Sequence, residues 1–140
     1  MIGLDGRKMS KSYNNTIMLF EPEKSMKKKV MSIVTDSKGL NDPKDPKACS
    51  IFALHELFNP EGIEELRARY IAGSIGYGDS KKLLFEKMME KLGPVRSSWE
   101  KLHKRFDEVE DIYRDGASRA RALAQETVAD CRRATGMAMG

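Results

Sequence analysis

The chain has 140 residues, of which 40% are hydrophobic and 33% are charged, and its formal net charge is +4. This balance is typical of one soluble, charge-rich globular domain with a modest core. No apolar run approaches the length of a membrane span, and no signal peptide is visible after Met1. Cys49 and Cys131 lack a metal-ligand spacing, so we expect two reduced, partly buried thiols of a cytoplasmic protein; a disulfide is the alternative.

Charge is distributed in blocks along the sequence. Residues 7–29 hold seven Lys or Arg against two acids, and residues 81–105 hold eight against three. Residues 107–115 are the reverse, with five acids against Arg114. Two basic blocks followed by an acidic one favour a protein that binds a polyanion at defined places, although solvated helix faces would give the same pattern.

The first fifteen residues contain the most informative stretch, in which two glycines and an aspartate precede Lys8-Met9-Ser10-Lys11-Ser12. Gly3 and Gly6 favour a mobile loop with unusual backbone angles. Lysines are compact charges on long stems, and serines offer hydroxyl and backbone N–H donors. The loop is therefore predicted to close over a nucleotide polyphosphate. Residues 16–20 are apolar and should dock this loop on a neighbouring surface, while remaining partly uncovered.

Apolar spacing and breaker residues predict six helices in the rest of the chain. They are expected at 22–34, 50–58, 61–72, 79–92, 94–113 and from 117 to about 135. A connector rich in turn residues separates the first two, and the glycine turn at 73–78 precedes the fourth, with Asp79 as its N-cap. Gly93-Pro94 should end the fourth helix and begin the fifth.

Several side chains receive specific expectations. The first helix should bury Met26, Val30, Ile33 and Val34 on one face. The fifth should form a bundle seam with Val95, Trp99, Leu102, Phe106, Val109 and Tyr113. Asp115-Gly116 should break the chain before a sixth helix, whose small residues (Ala117, Ala120, Ala124, Thr127 and Cys131) would pack closely on the fifth. His55 is expected to be a hydrogen-bonded core histidine rather than a ligand.

The five letters of Lys8–Ser12 match the KMSKS signature of class I aminoacyl-tRNA synthetases. The flanks Gly3–Arg7 and Tyr13–Ile17, with Ile33–Asp36, Asp45-Pro46 and Gly76–Gly78, make nearly the whole chain resemble the C-terminal part of tryptophanyl-tRNA synthetases. The resemblance implies an all-α bundle of about six helices preceded by an extended signature loop, a remnant of an α/β nucleotide-binding domain. It divides the chain into residues 1–20, the edge of the catalytic domain, and residues 21–140, a helical anticodon-binding domain.

The resemblance also implies the chemistry. Such an enzyme activates tryptophan with ATP, accompanied by Mg²⁺, and transfers it to tRNA(Trp) as a cytoplasmic homodimer. Lys8 and Lys11 would be catalytic and would bind ATP together with Met9, Ser10 and Ser12; Lys101, Lys104 and Arg105 are candidates for tRNA phosphate contacts. No protein metal site is expected. The family's other signature, His-x-Gly-His, is absent, so the chain alone is expected to be inactive. A tyrosyl-tRNA synthetase fragment, a stand-alone RNA-binding module and a purely structural helical fragment remain alternatives.

Overall fold

The computed structural model describes residues 1–137. Five α-helices follow one another in this part: α1 (Glu23–Met31), α2 (Ser50–Phe58), α3 (Ile63–Ile71), α4 (Tyr77–His103) and α5 (Phe106–Ala134). Short 3₁₀ turns lie at Lys11–Tyr13 and Pro46–Ala48, and no strand occurs within residues 1–137 beyond one isolated bridge between Ile2 and Lys8. The all-α prediction is confirmed, but the prediction of six helices is wrong. The chain divides into two compact units, Met1–Ser97 and Ser98–Gly140.

The unit Met1–Ser97 contains the hydrophobic core. Side chains of α1, α2 and α4, with Ile33 just after α1, form its main cluster, which comprises Met26, Val30, Ile33, Ile51, Leu54, Leu84, Phe85 and Met88. A second cluster joins Phe52, Leu66, Tyr70 and Ile75. The predicted burial of Met26, Val30 and Ile33 is thus confirmed. Val34 is an exception at 61% exposed, because α1 ends at Met31 and its periodicity stops there.

The predicted connector between α1 and α2 is an ordered loop held by a buried lysine. The ammonium of Lys44 donates hydrogen bonds to the carbonyl oxygens of Gly39, Leu40 and Asp42 at 2.9–3.2 Å. The loop approaches the glycine turn so closely that a Cβ on Gly73 would lie 2.4 Å from the Asn41 oxygen. Gly73 also has φ +65°, so both space and backbone angle explain this glycine. It follows the C-cap of α3, Ala72, rather than being the C-cap itself.

Two predicted boundaries of α4 are wrong. The helix begins at Tyr77, two residues before the predicted cap Asp79, and the N–H of Ser80 already donates to the Gly76 oxygen at 3.0 Å. It then continues through Pro94 to His103. A proline inside a helix costs about 3 kcal/mol, but it removes only its own N–H. Strong helix formers on both sides, including Glu90, Lys91 and Arg96, favour continuation.

The predicted fifth and sixth helices are also wrong. The chain breaks at Lys104 instead of at Pro94, and α5 continues through Asp115-Gly116. A helical glycine costs only about 1 kcal/mol relative to alanine, and the flanking ion pairs Glu110–Arg114 and Asp115–Arg119 support the helix locally. No residue of α5 is buried. The predicted seam residues Val95, Trp99, Leu102, Phe106 and Tyr113 are 38–75% exposed.

The remaining expectations concern the thiols and the C-terminus. Both cysteines are free, as predicted; Cys49 is half-buried, but Cys131 is exposed because it lies on the uncovered α5. Gly136 has φ +70° just after the end of α5, which agrees with the predicted helix stop. Residues 137–140 are expected from the sequence to fray, as chain ends commonly do, and residues 138–140 lie outside the described residues. Among residues 1–137, no helix is long and apolar enough to cross a membrane.

Candidate functional site

Residues 1–15 form a closed loop held by backbone hydrogen bonds, not the extended segment predicted. The N–H of Gly3 donates to the Arg7 oxygen at 2.6 Å, and that of Met9 donates to the Met1 oxygen at 3.0 Å. Gly6, at the tip, has φ +81°, an angle that favours glycine. Leu4 and Ile17 pack against the core of α1, α2 and α4, while Met18, Leu19 and Phe20 are 40–51% exposed, as the sequence predicted for this segment.

The side chain of Asn15 lies inside this loop and is only 2% exposed. Its Nδ2 donates to Asp5 Oδ1 at 2.7 Å and to the Lys8 oxygen at 3.2 Å. Its Oδ1 accepts the N–H of Ser10 at 2.8 Å. Nothing in the residue type of Asn15 or in its spacing shows from sequence that its side chain turns inward. The side chain bonds the first and middle residues of the predicted phosphate-binding stretch, Lys8 and Ser10.

Lys8 and Lys11 extend from the surface of the loop, and both residues are exposed. Within residues 1–137, neither ammonium group forms a salt bridge with a carboxylate. Arg7 differs, since it is paired with Asp5 at 2.6 Å and its guanidinium lies 4.4 Å from the centre of the Tyr13 ring. The charges of Lys8 and Lys11 are therefore available to an anionic ligand, whereas the charge of Arg7 is largely compensated.

Ser10 is the N-cap of the short turn Lys11–Tyr13, and Ser12 lies within that turn. Ser10 Oγ accepts the N–H of Ser12 at 3.3 Å, and the two hydroxyl oxygens are 3.0 Å apart. The N–H of Ser10 is already bonded to Asn15. In this conformation the loop thus offers a ligand its lysine ammonium groups and a serine hydroxyl, with the N–H groups of Ser10 and Ser12 engaged inside the loop.

Asp5 is the acidic member of the loop. The hydrogen bond from Asn15, followed by those from Arg7, lowers the pKa of the Asp5 carboxyl to about 2. The carboxylate is therefore charged at neutral pH and remains a strong acceptor for the Asn15 amide. The acid stabilises the loop rather than competing for the ligand, since its oxygens are occupied by Asn15 and Arg7.

The predicted tRNA contacts lie at the junction of α4 and α5. Lys101 is in the last turn of α4, Lys104 follows the helix, and Arg105 is the N-cap residue of α5. They do not share one helix face, because the predicted fifth helix is interrupted here. Arg105 is also not free, since it pairs with Glu108 at 2.9 Å. Lys101 and Lys104 have no ion pair within the described part of the chain.

A buried polar cluster connects α2, α3 and α4 away from the loop. His55 is fully buried, and its Nε2 lies 3.0 Å from the Ser80 carbonyl oxygen. The hydroxyl groups of Tyr70 and Ser80 are 2.6 Å apart. This confirms the prediction of a core histidine. Burial lowers the pKa of His55, and its Nδ1 has no hydrogen-bond partner in the described structure.

No group of three or more His, Cys, Asp or Glu side chains in the described residues could hold a metal ion. The exposed charges of Lys8 and Lys11 make the cationic loop around Lys8–Ser12 the candidate site.

Comparison with known proteins identifies the class of this loop and fold. The family described as tRNA synthetases class I (W and Y) matches residues 1–93. Because this match covers most of the chain, the chain belongs to that family of class I tRNA synthetases.

Within the family, the chain is similar to tryptophan–tRNA ligases. The tryptophan–tRNA ligase of Rhodopirellula baltica is 46% identical over 136 residues, and that of Fusobacterium nucleatum is 41% identical over the same length. A crystal structure of Campylobacter jejuni tryptophanyl-tRNA synthetase, complexed with ADP and tryptophan, superposes with a TM-score of 0.86 at 41% identity. The predicted resemblance to tryptophanyl-tRNA synthetases is thereby confirmed.

The chain corresponds to only part of these proteins. The alignments cover 96% of the chain but 42% of each of the two curated relatives, and 43% of the crystallised chain. The chain thus spans less than half the length of these relatives.

Proposed function

We propose that this chain is the part of a tryptophan–tRNA ligase that supplies the phosphate-binding loop and a helical tRNA-binding surface. The observation that carries the proposal is the pair of exposed, unpaired lysines, Lys8 and Lys11, on a loop whose backbone is fixed by Asn15. The alternatives of an RNA-binding module without catalysis or a purely structural fragment give no reason for this arrangement.

The loop would act on the first step of the reaction, in which tryptophan and ATP give tryptophanyl-adenylate and pyrophosphate. Negative charge grows on the leaving pyrophosphate as the bond to the α-phosphorus breaks. Ammonium groups already in place stabilise that charge more in the transition state than in the ground state. Lys11 is the stronger candidate and Lys8 the weaker, while the Ser10 and Ser12 hydroxyls and the Met9 backbone complete the ATP contacts. Mg²⁺ would arrive with the nucleotide.

The boundary proposed after residue 20 separates the phosphate-binding role from the tRNA-binding role. It does not separate two compact units. Leu4 and Ile17 of the loop pack on the same core as α1 and α2, so the loop and the first helices fold together. The remaining helices would bind the anticodon arm of tRNA(Trp) in a cytoplasmic, homodimeric enzyme. The tryptophan pocket and most of the ATP pocket would be formed by the part of the relatives that this chain does not match, so the 140-residue chain alone should be inactive.

The catalytic role is tested by joining this chain to the unmatched part of the Rhodopirellula baltica ligase. In an active chimera, Lys11→Ala should slow single-turnover adenylate formation by a hundredfold or more, equivalent to about 3 kcal/mol, with a smaller change in ATP affinity. Lys24→Ala is the matched control, because Lys24 is an exposed lysine of α1. An unchanged rate for Lys11→Ala would refute the role.

The helical surface is tested by tRNA binding of the same chimera across a salt series. Changing Lys101 and Lys104 together to alanine should weaken cognate and non-cognate tRNA alike and reduce the slope of log affinity against log salt by roughly one to two. Arg105 is left intact because its charge is compensated by Glu108. Coincident slopes would show that this surface does not meet the tRNA backbone.

A further inference from the structure

Asn15 has every feature of a residue that fixes the shape of the cationic loop. Both N–H bonds of its amide are used, one by Asp5 before the lysines and one by the Lys8 carbonyl. Its oxygen accepts the N–H of Ser10 on the far side of Met9. One buried side chain thus bonds two backbone groups of the stretch Lys8–Ser12 and the Asp5 carboxylate that precedes it.

The rest of the loop is built around this amide. A Cβ on Gly3 would lie 2.5 Å from Asn15 Nδ2, so the absence of a side chain at residue 3 leaves the space that the amide fills. The Asn15 carbonyl accepts the N–H of Leu4 at 3.0 Å, and the Leu4 carbonyl accepts the N–H of Val34 at 2.8 Å. Asn15 therefore bonds the lysine stretch through its side chain, and its backbone carbonyl links the loop through Leu4 to the segment after α1.

We propose that Asn15 is a positioning residue that pre-organises Lys8–Ser12 for a polyphosphate, an inference that rests on the function proposed above. It carries no charge and its amide is saturated by the loop, so it acts on the ligand only through the lysines and serines. With the backbone already ordered, the loop loses less conformational entropy when phosphate oxygens bind. Gly3 serves the same purpose by leaving room for the Asn15 amide.

The test uses the 140-residue chain and tripolyphosphate, with affinity measured by calorimetry at several salt concentrations. Asn15→Ala should weaken binding about tenfold at every salt concentration, because the ordering cost rises while the number of charges is unchanged. Gly3→Ala should act in the same direction by displacing the amide. Lys11→Ala should instead reduce the slope of log affinity against log salt by roughly one, because a charge is lost.

Asn14→Gly is the matched control. Asn14 is exposed and has φ +50°, an angle that glycine adopts readily, so the turn is preserved and tripolyphosphate affinity should stay at the wild-type value. Thermal melting of each variant checks the core. A role in stability alone would leave the tripolyphosphate affinity of a folded Asn15→Ala chain unchanged, which would overturn the inference.

The outcomes separate the two proposals. In one outcome the wild-type chain binds tripolyphosphate, Lys11→Ala reduces the salt slope, and Asn15→Ala binds as tightly as the wild type. The phosphate-binding role of the loop is then supported, and the positioning role of Asn15 is wrong. If the folded wild-type chain binds no tripolyphosphate, the proposed function of the loop fails, and the role of Asn15 fails with it.

Discussion

The two compact units of the chain place similar apolar patterns in different surroundings. In Met1–Ser97, side chains at helical spacing on α1, α2 and α4 are buried together in one cluster. In Ser98–Gly140, α5 carries Ile112, Leu123 and Val128 among charged residues, and none of its side chains is buried. Helical periodicity therefore predicts the helices of both units, but it predicts buried side chains correctly only in the first. Burial requires a second surface to pack against, and the periodicity of one helix does not supply that surface.

The difference predicts where the chain is sensitive to loss of apolar side chains. Leu54 is buried in the core and Leu123 is 72% exposed on α5. Leu54→Ala should lower the free energy of unfolding by about 2–5 kcal/mol, whereas Leu123→Ala should change it by less than about 0.5 kcal/mol. Urea denaturation of the two variants measures both values. A comparable loss for Leu123→Ala would mean that α5 is covered in solution.

Two glycines, Gly73 and Gly116, test the same contrast between the packed first unit and the exposed helix α5. Gly73→Ala should destabilise the chain by about 1–3 kcal/mol, because it combines a positive φ with a close approach to the Asn41 oxygen. Gly116→Ala, inside α5, meets nothing within 4 Å and should raise helix stability by up to about 1 kcal/mol. Thermal melts followed by circular dichroism should show opposite shifts. Shifts of the same sign would contradict the assigned environments.

The buried histidine predicts a pH dependence confined to the first unit. Because burial lowers the pKa of His55, the unfolded chain takes up its proton first as pH falls below about 6.5. The stability due to neutral His55 is thus complete above that pH and is lost below it, with a slope approaching about 1.4 kcal/mol per pH unit. Denaturation between pH 8 and 5 measures this slope. His55→Gln should remove it and His103→Gln should retain it; equal slopes in all three chains would exclude His55 as its source.

The parts of the fold that the sequence predicted are those with local signals. The apolar spacing of Met26 and Val30 indicated α1 and its buried face, and the turn residues after it indicated the connector before α2. Pro94 and Gly116 misled because each weakens a helix by an amount that strong helix formers and neighbouring ion pairs can offset. The exposure of Trp99 and Leu102 could not be judged from spacing, since it depends on which surface lies opposite.

The candidate site was predicted in its chemistry but not in its architecture. The residue types of Lys8–Ser12 indicated a phosphate-binding loop, and the structure leaves the two lysines exposed and unpaired within its described residues. The closed loop depends on contacts between residues far apart in sequence, such as Asn15 with Asp5 and Val34 with Leu4. These contacts require the turn at Gly6 and the free space at Gly3. The sequence shows both glycines but does not show which residues they bring together.

The proposed function requires that the loop at Lys8–Ser12, and not another basic surface, binds a polyphosphate. Titration of the ¹⁵N-labelled chain with tripolyphosphate, followed by amide chemical shifts, locates the bound anion. The largest shifts should occur at residues 8–12, and shifts at the basic stretches 24–29 and 101–105 should be small. Dominant shifts at either of those stretches, with residues 8–12 unmoved, would contradict the proposed function.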